Sequence, residues 1–209
     1  MTRQYLPTAL MITGSCIAVS CANAQIPMTT GVAAVPPQGF VGFCAKHLEE
    51  CLGNAPAPVV VTLTADRRAD LEKTQAETNR AIRPRSDPTH VWDYPTDGTG
   101  DCNKFALAKR RALIALGWPR EALLLTAALT ERGEGHLVLV ARTSQGDLVL
   151  DNRVAPVVDW SRLPYRWLSR QSERSPTAWL SIVVADATAM SPVRFASPLG
   201  REILSDRSR

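Results

Sequence analysis

Gly100-Asp101-Cys102-Asn103-Lys104-Phe105-Ala106-Leu107-Ala108-Lys109-Arg110-Arg111-Ala112-Leu113-Ile114-Ala115-Leu116-Gly117 reads as one amphipathic helix with a cysteine in its first turn. Phe105, Ala106, Ala108, Ala112, Leu113 and Leu116 supply an apolar face at helical spacing, predicting a helix from Asp101 to Leu116 that Gly117 stops. Lys109, Arg110 and Arg111 fall in its C-terminal half, where cations suit the helix dipole. At the other end the unpaired peptide N–H groups stabilise negative charge, so a thiol placed there is biased towards thiolate.

Downstream of Trp118-Pro119 the period changes from helical to alternating. Leu123 to Thr130 and His136 to Thr143 are predicted strands, Ser144-Gln145-Gly146-Asp147 a hairpin turn, Leu148 to Asn152 the return strand and Trp179 to Ala185 a further strand. The expected class is α+β, with the cysteine helix packed on an antiparallel β-sheet. An even-numbered hairpin loop gives opposed residues an odd index sum, which puts His136 and Asp151 on one face as diagonal neighbours ~7 Å apart. Cys102, His136 and Asp151 then form a candidate catalytic set. The thiol needs one ring nitrogen as base, and the carboxylate holds the other nitrogen and fixes the tautomer. Alone, His136 reads as an edge-strand histidine and Asp151 as a turn residue; the order and setting of the three together carry the reading.

Composition is that of one globular domain: 209 residues, 45 % hydrophobic, 21 % charged, net charge +4. The charges are interspersed, and no basic stripe with interleaved aromatics marks a nucleic-acid partner. Residues 1–24 carry only Arg3, an apolar run from Leu6 to Val19, then Ala22-Asn23-Ala24, the pattern of a secretory signal peptide cleaved after Ala24. The apolar run is too short and too broken for a membrane anchor, and Ala18 departs from a lipobox before Cys21. Periplasmic or secreted localisation follows, with no membrane span after cleavage. Losing Cys16 and Cys21 leaves Cys44, Cys51 and Cys102. Cys44 and Cys51 are the natural disulfide pair in an oxidising compartment, and Cys102 is left as the odd thiol.

Residues 25–42, rich in Pro and Gly, read as an extended lead-in; Phe43 to Leu52 as helical turns carrying the disulfide; Thr64 to Ile82 as a surface helix capped by Thr64. Arg83 to Gly100 contains Pro84, Pro88, Pro95 and Gly98 and reads as a long functional loop. His47 and His90 have no partner at useful spacing. Cys-x-x-Cys and His-x-x-x-His zinc patterns and a glycine-rich phosphate loop are absent from the sequence.

The segment Trp92-Asp93-Tyr94-Pro95-Thr96-Asp97-Gly98-Thr99-Gly100-Asp101-Cys102, with Gly117-Trp118-Pro119, Gly135-His136 and Leu150-Asp151-Asn152, resembles the bacterial transglutaminase-like cysteine peptidases, whose LapG-like branch comprises periplasmic proteases that release biofilm adhesins. The similarity extends to Asn79-Arg80-Ala81-Ile82 and to Tyr165 with Arg170-Gln171-Ser172. It implies a papain-like, transglutaminase-like core over residues 63–187, preceded by a lead-in over 25–62 and followed by a tail over 188–209. It also implies Cys102 as nucleophile, His136 as base, Asp151 as orienter and Trp92 near the cleft. The implied reaction is hydrolysis of peptide or amide bonds in a protein or peptide of the cell envelope, through a Cys102 thioester. Acyl transfer to an amine and a non-catalytic binding module are the alternatives; a regulatory partner is not named by the sequence. Acids flanking the cysteine help bind calcium in the adhesin-releasing branch. Asp101 matches as the possible metal ligand, but Asn103 and Lys104 depart from that pattern, so no cofactor is expected to be required.

Overall fold

The computed structural model describes residues 26–184; the expected signal peptide and the tail over 188–209 lie outside the described residues. In chain order the elements are β1 (Thr29–Ala34), α1 (Gln38–Lys46), α2 (Leu48–Cys51), α3 (Ala65–Ala81), β2 (Arg83–Pro84), β3 (Thr99–Gly100), α4 (Cys102–Ala115), β4 (Leu123–Leu129), β5 (Gly135–Thr143), β6 (Gly146–Leu150), β7 (Val158–Asp159), β8 (Arg166–Gln171) and β9 (Trp179–Val183). Seven strands form one antiparallel sheet in the order β1-β9-β8-β4-β5-β6-β7, while β2 and β3 make a separate two-residue parallel pair.

Alternation along the central strands separates two cores. Leu123 and Leu125 of β4, Leu137 and Leu139 of β5 and Leu148 and Leu150 of β6 pack with Ala106, Leu107 and Leu113 of α4, Leu71 of α3 and Phe40 and Phe43 of α1. On the opposite face Ala128, Val138, Val140 and Val149 meet Met28, Leu163 and Trp167. The β5–β6 hairpin turns through Ser144 and Gln145 alone, tighter than the expected four-residue turn, and Gly146 and Asp147 are already paired in β6; with Thr143 opposite Gly146 and Leu139 opposite Leu150, opposed indices still sum to an odd number. Gly146 takes φ 98°, a conformation that a side chain would strain in so tight a turn.

The helix ends follow their local chemistry. Thr64 accepts a hydrogen bond from Arg67 N, capping α3, and Gly117 at φ 80° ends α4. Cys44 and Cys51 are disulfide-bonded with α-carbons 5.6 Å apart. Closing that loop stabilises the α1–α2 corner by roughly 2–3 kcal/mol in the chain-entropy model.

Four expectations change. Residues 29–34, read as irregular, form β1 along the edge of β9, with a bulge between Thr30 and Ala33. Its apolar residues are few and Val32 is exposed, so no alternation announces it. Strand β8 has no counterpart among the strands expected from sequence: its buried Arg170 disguises an inward position and is neutralised by Asp147 at 2.9 Å and Glu173 at 2.6 Å. On α4, Leu116 of the expected apolar face is half exposed, while Lys109 and Arg110, placed by sequence only as suiting the helix dipole, are buried, because the helix is covered by neighbours on more than one side. His47 does have a partner, Asp93, whose Oδ1 lies 2.8 Å from Nε2.

Arg110 shows what that burial does. Its Nη1 donates to Glu50 at 2.5 Å, Arg120 donates to the same carboxylate at 2.7 Å, and Tyr94 donates its hydroxyl at 2.7 Å. This cluster fastens the disulfide corner to the middle of α4. Among the described residues no helix is long and apolar enough to cross a membrane.

Candidate active site

Helix α4 begins at Cys102 because Asp101 caps it: Oδ1 accepts the backbone N–H of Lys104 at 3.3 Å. Cys102 is half-buried and is the free cysteine among the described residues. Its Sγ lies 3.8 Å from Asn103 Oδ1, and Cys102 and His136 line the same cleft, close enough for the thiol to raise the imidazole's affinity for its proton.

His136 sits at the start of β5, opposite Ala128 of β4. It shares a face with Val138 and Val140, and Asp151, one residue past the end of β6, shares that face by the hairpin register. Their side chains meet: His136 Nε2 lies 2.8 Å from Asp151 Oδ1. With Nε2 taken by the carboxylate, Nδ1 is the nitrogen left for the thiol. The histidine is 8 % exposed and Asp151 1 %, so the pair works in a low-dielectric setting.

Asp151 is held from every side. Its Oδ2 accepts the Tyr165 hydroxyl at 2.5 Å and its Oδ1 the Arg153 N–H at 3.0 Å. Its backbone carbonyl accepts Gln75 Nε2 at 2.7 Å and Asn79 Nδ2 at 3.0 Å, both from α3. Burial pushes this carboxyl up, but the hydrogen bond and charge of His136 and the Tyr165 hydroxyl outweigh it and hold the group below its ordinary value. Burial likewise pushes the imidazole down, yet the hydrogen bond to Asp151 and the proximity of Cys102 outweigh it and raise the group to about 9. The ring is therefore an imidazolium at neutral pH.

Cys102 and His136 open onto a cleft of about 550 Å³ that Trp92, His90, Asp87 and Gly39 also line. Trp92, expected near the cleft, is 5 % exposed. It stands edge-on to Phe40 at 5.9 Å and to Trp179 at 6.4 Å, so it joins the cleft wall to the core. Glycine at position 39 is what permits this: a Cβ there would lie 2.2 Å from Trp92 Cδ1 and 2.6 Å from the His90 carbonyl.

Several participants escaped the sequence reading. Gln75 and Asn79 lie one helical turn apart on α3, a spacing that marks a shared face without naming what it meets. Lys109 follows Cys102 by seven residues, about two turns. Its ammonium is buried without a hydrogen-bond partner in the described residues, and desolvation pushes it down to about 7 although the Asp151 charge pulls the other way.

Asp101, the possible metal ligand of the sequence analysis, is otherwise engaged. Oδ1 caps Lys104, and Oδ2 accepts Asn103 Nδ2 at 3.0 Å. Lys104 Nζ lies 3.1 Å from Asp87 Oδ2 and 4.0 Å from Asp101 Oδ1. Among the described residues no three His, Cys, Asp or Glu side chains are grouped to hold a metal ion. These residues do not fit a divalent cation, because an ammonium stands among the carboxylates.

Residues 30–187 match the family model of the bacterial transglutaminase-like cysteine proteinases. Among solved structures, LapG of Legionella pneumophila is 28 % identical over 54 % of this chain and 67 % of its own, with a TM-score of 0.45. The calcium-bound form of that protein is 25 % identical over 57 % of this chain and 72 % of its own, with a TM-score of 0.47. No curated protein matches the chain.

Proposed function

The chain belongs to the bacterial transglutaminase-like cysteine proteinases and is a cysteine peptidase, and from that premise we propose that it hydrolyses peptide bonds through Cys102, His136 and Asp151. The observation that carries the assignment is an imidazole that is held at 2.8 Å by a buried carboxylate and shares a cleft with a thiol at a helix N-terminus.

The Cys102 thiolate attacks the scissile carbonyl carbon, and the carbonyl π electrons move onto oxygen. The backbone N–H of Cys102, at the positive end of α4, helps hold that oxyanion. Collapse of the intermediate breaks the C–N bond, and the His136 imidazolium gives its proton to the departing amine. Neutral His136 then takes a proton from water as it attacks the thioester, and Cys102 leaves as thiolate. Asp151 keeps one ring tautomer and stabilises each imidazolium stage without giving up its own charge.

The Cys44–Cys51 disulfide supports an oxidising compartment, the periplasm or the exterior. A protein of the cell envelope is the proposed substrate. Lys104 among the carboxylates supports a peptidase that requires no calcium.

The decisive experiment is replacement of Cys102, His136 and Asp151 by alanine in turn. Each variant is expected to keep the far-UV circular dichroism of the parent and to lose turnover on a protein substrate; cleavage by Cys102→Ala removes the assignment. Incorporation of a labelled amine into an acceptor protein would show instead that the thioester is captured by amines.

A further inference from the structure

We propose that Lys104 is a built-in cation that fastens the wall of the substrate cleft: its ammonium ties the loop over residues 85–98 to the first turn of α4 through Asp87, doing without a metal ion at that junction. The proposal rests on the reading of the Cys102 cleft as the substrate cleft.

The tie is sheltered. The side chains of Lys104, Asp87 and Asp101 are 15 %, 23 % and 14 % exposed, and the ammonium lies 3.1 Å from Asp87 and 4.0 Å from Asp101. An exposed pair at such distances contributes little, whereas one ammonium between two carboxylates on different segments fixes their relative positions. The stem of the lysine is packed as well. A Cβ on Gly100 would lie 2.6 Å from Lys104 Cβ and 2.9 Å from its Cδ, so the glycine before Asp101 is what lets the lysine lie back along β3.

On the loop side the tie continues into the cleft. Asp87 Oδ1 accepts the Thr89 backbone N–H at 3.0 Å and its hydroxyl at 2.5 Å, bracing the turn that leads to His90. These hydrogen bonds, and that from Lys104, push the Asp87 carboxyl down to about 2, so it stays charged throughout the working range. His90 adopts φ 52°, an unusual conformation for a residue with a side chain, and its carbonyl backs the close contact of Gly39 with Trp92. The ends of the loop are closed separately, by Arg83 N to Gly98 O at 2.8 Å and Arg85 N to Gly100 O at 2.8 Å. Lys104 thus ties the first part of the loop to the first turn of the helix that carries the nucleophile, while Tyr94 further along is held by Arg111 of the same helix, 4.0 Å from its ring centroid.

The test compares wild type, Lys104→Met and Lys104→Asp with chelator and with millimolar calcium. It reads kcat and KM on a protein substrate, alkylation of Cys102 by iodoacetamide, and hydrogen exchange of the amides over 86–92. Wild type is expected to be indifferent to both additions. Lys104→Met should speed exchange over 86–92 and raise KM about tenfold, while kcat and alkylation change by no more than about twofold. Lys104→Asp should be looser still, and calcium should restore both exchange protection and KM, since three carboxylates then converge where one ammonium stood. Inactivation of wild type by chelator, unchanged exchange and KM in Lys104→Met, or no calcium rescue of Lys104→Asp would each overturn the proposal. Should Lys104→Met fold poorly, the charge swap Asp87→Lys with Lys104→Asp replaces it, with restored protection expected and a loose loop contrary. Exchange is read without catalysis, so a peptidase assignment that failed at Cys102→Ala would remain separable from a failure of the tie.

Discussion

Glu50 and Asp151 are both carboxylates shut away beside α4, at 6 % and 1 % exposure, and both are held below their ordinary values. Burial raises each one, and in each the partners outweigh it. The partners differ in kind. Glu50 has two guanidiniums and a phenol, and a guanidinium does not release its proton at any pH that a protein survives. Asp151 has a phenol, a backbone N–H and an imidazole, and the imidazole both releases its proton and opens onto a cleft beside a thiol. The first cluster fastens the disulfide corner to the helix; the second positions a group that can exchange protons. Similar burial and similar charge give a fastener in one place and a proton-handling device in the other, and the base partner makes the difference.

The contrast breaks most visibly at Asp151→Asn. The peptidase rate is expected to fall by about 10³- to 10⁴-fold with the fold kept. The His136 imidazolium, which now persists to about 9, should lose its proton at lower pH, because the partner that raised it is gone. Imidazole NMR across a pH series reads this, and a titration still near 9 in the variant would place the cause elsewhere.

Glu50→Gln should produce the opposite pattern. It leaves Arg110 buried without a counter-charge, so stability should drop by about 3–5 kcal/mol in chemical denaturation. The activity per folded molecule is expected to stay within about threefold of the parent. A large kcat loss without loss of stability would show that the two clusters are not separate in role.

Lys109 sharpens the comparison as a buried charge with neither kind of partner. Its folded value of about 7 lies below the 10.5 of the unfolded chain. The unfolded state therefore binds more protons between those limits, and stability rises with pH across the window. The penalty is complete below about pH 7 and gone above 10.5. Lys109→Met should stabilise the protein by about 2–4 kcal/mol near neutrality, with the gain shrinking as pH rises towards 10. A pH-independent difference between the melting curves would argue against a charged buried ammonium.

Tyr165→Phe is the mildest change. It removes one hydroxyl from Asp151, and a loss of about 1–2 kcal/mol in transition-state stabilisation is expected from kcat/KM, with the stability little altered.

The parts of the site that could be read directly all had short-range signals. Asp101 and Gly117 bracket α4, an even-numbered turn between β5 and β6 sets the odd-sum pairing although it is two residues long rather than four, and Cys44 and Cys51 lie seven residues apart. Helical period, capping, turn chemistry and strand alternation act over a few residues, so they survive in a linear chain. That is why Cys102, His136 and Asp151 could be singled out, and why the register alone put the last two on one face.

Other features had no such signal. Lys104 meets Asp87 across 17 positions, His47 meets Asp93 across 46, Arg110 meets Glu50 across 60 and Gln75 meets the Asp151 carbonyl across 76. A polar residue destined for burial looks like one destined for water until its distant partner is known, so the sequence shows Lys109 and Arg110 only as charges suited to the helix dipole and gives no alternation for β8. Spacing along the chain settled which residues could be brought to a common face; desolvation, which depends on everything packed around a group, settled what each charge became once it arrived there.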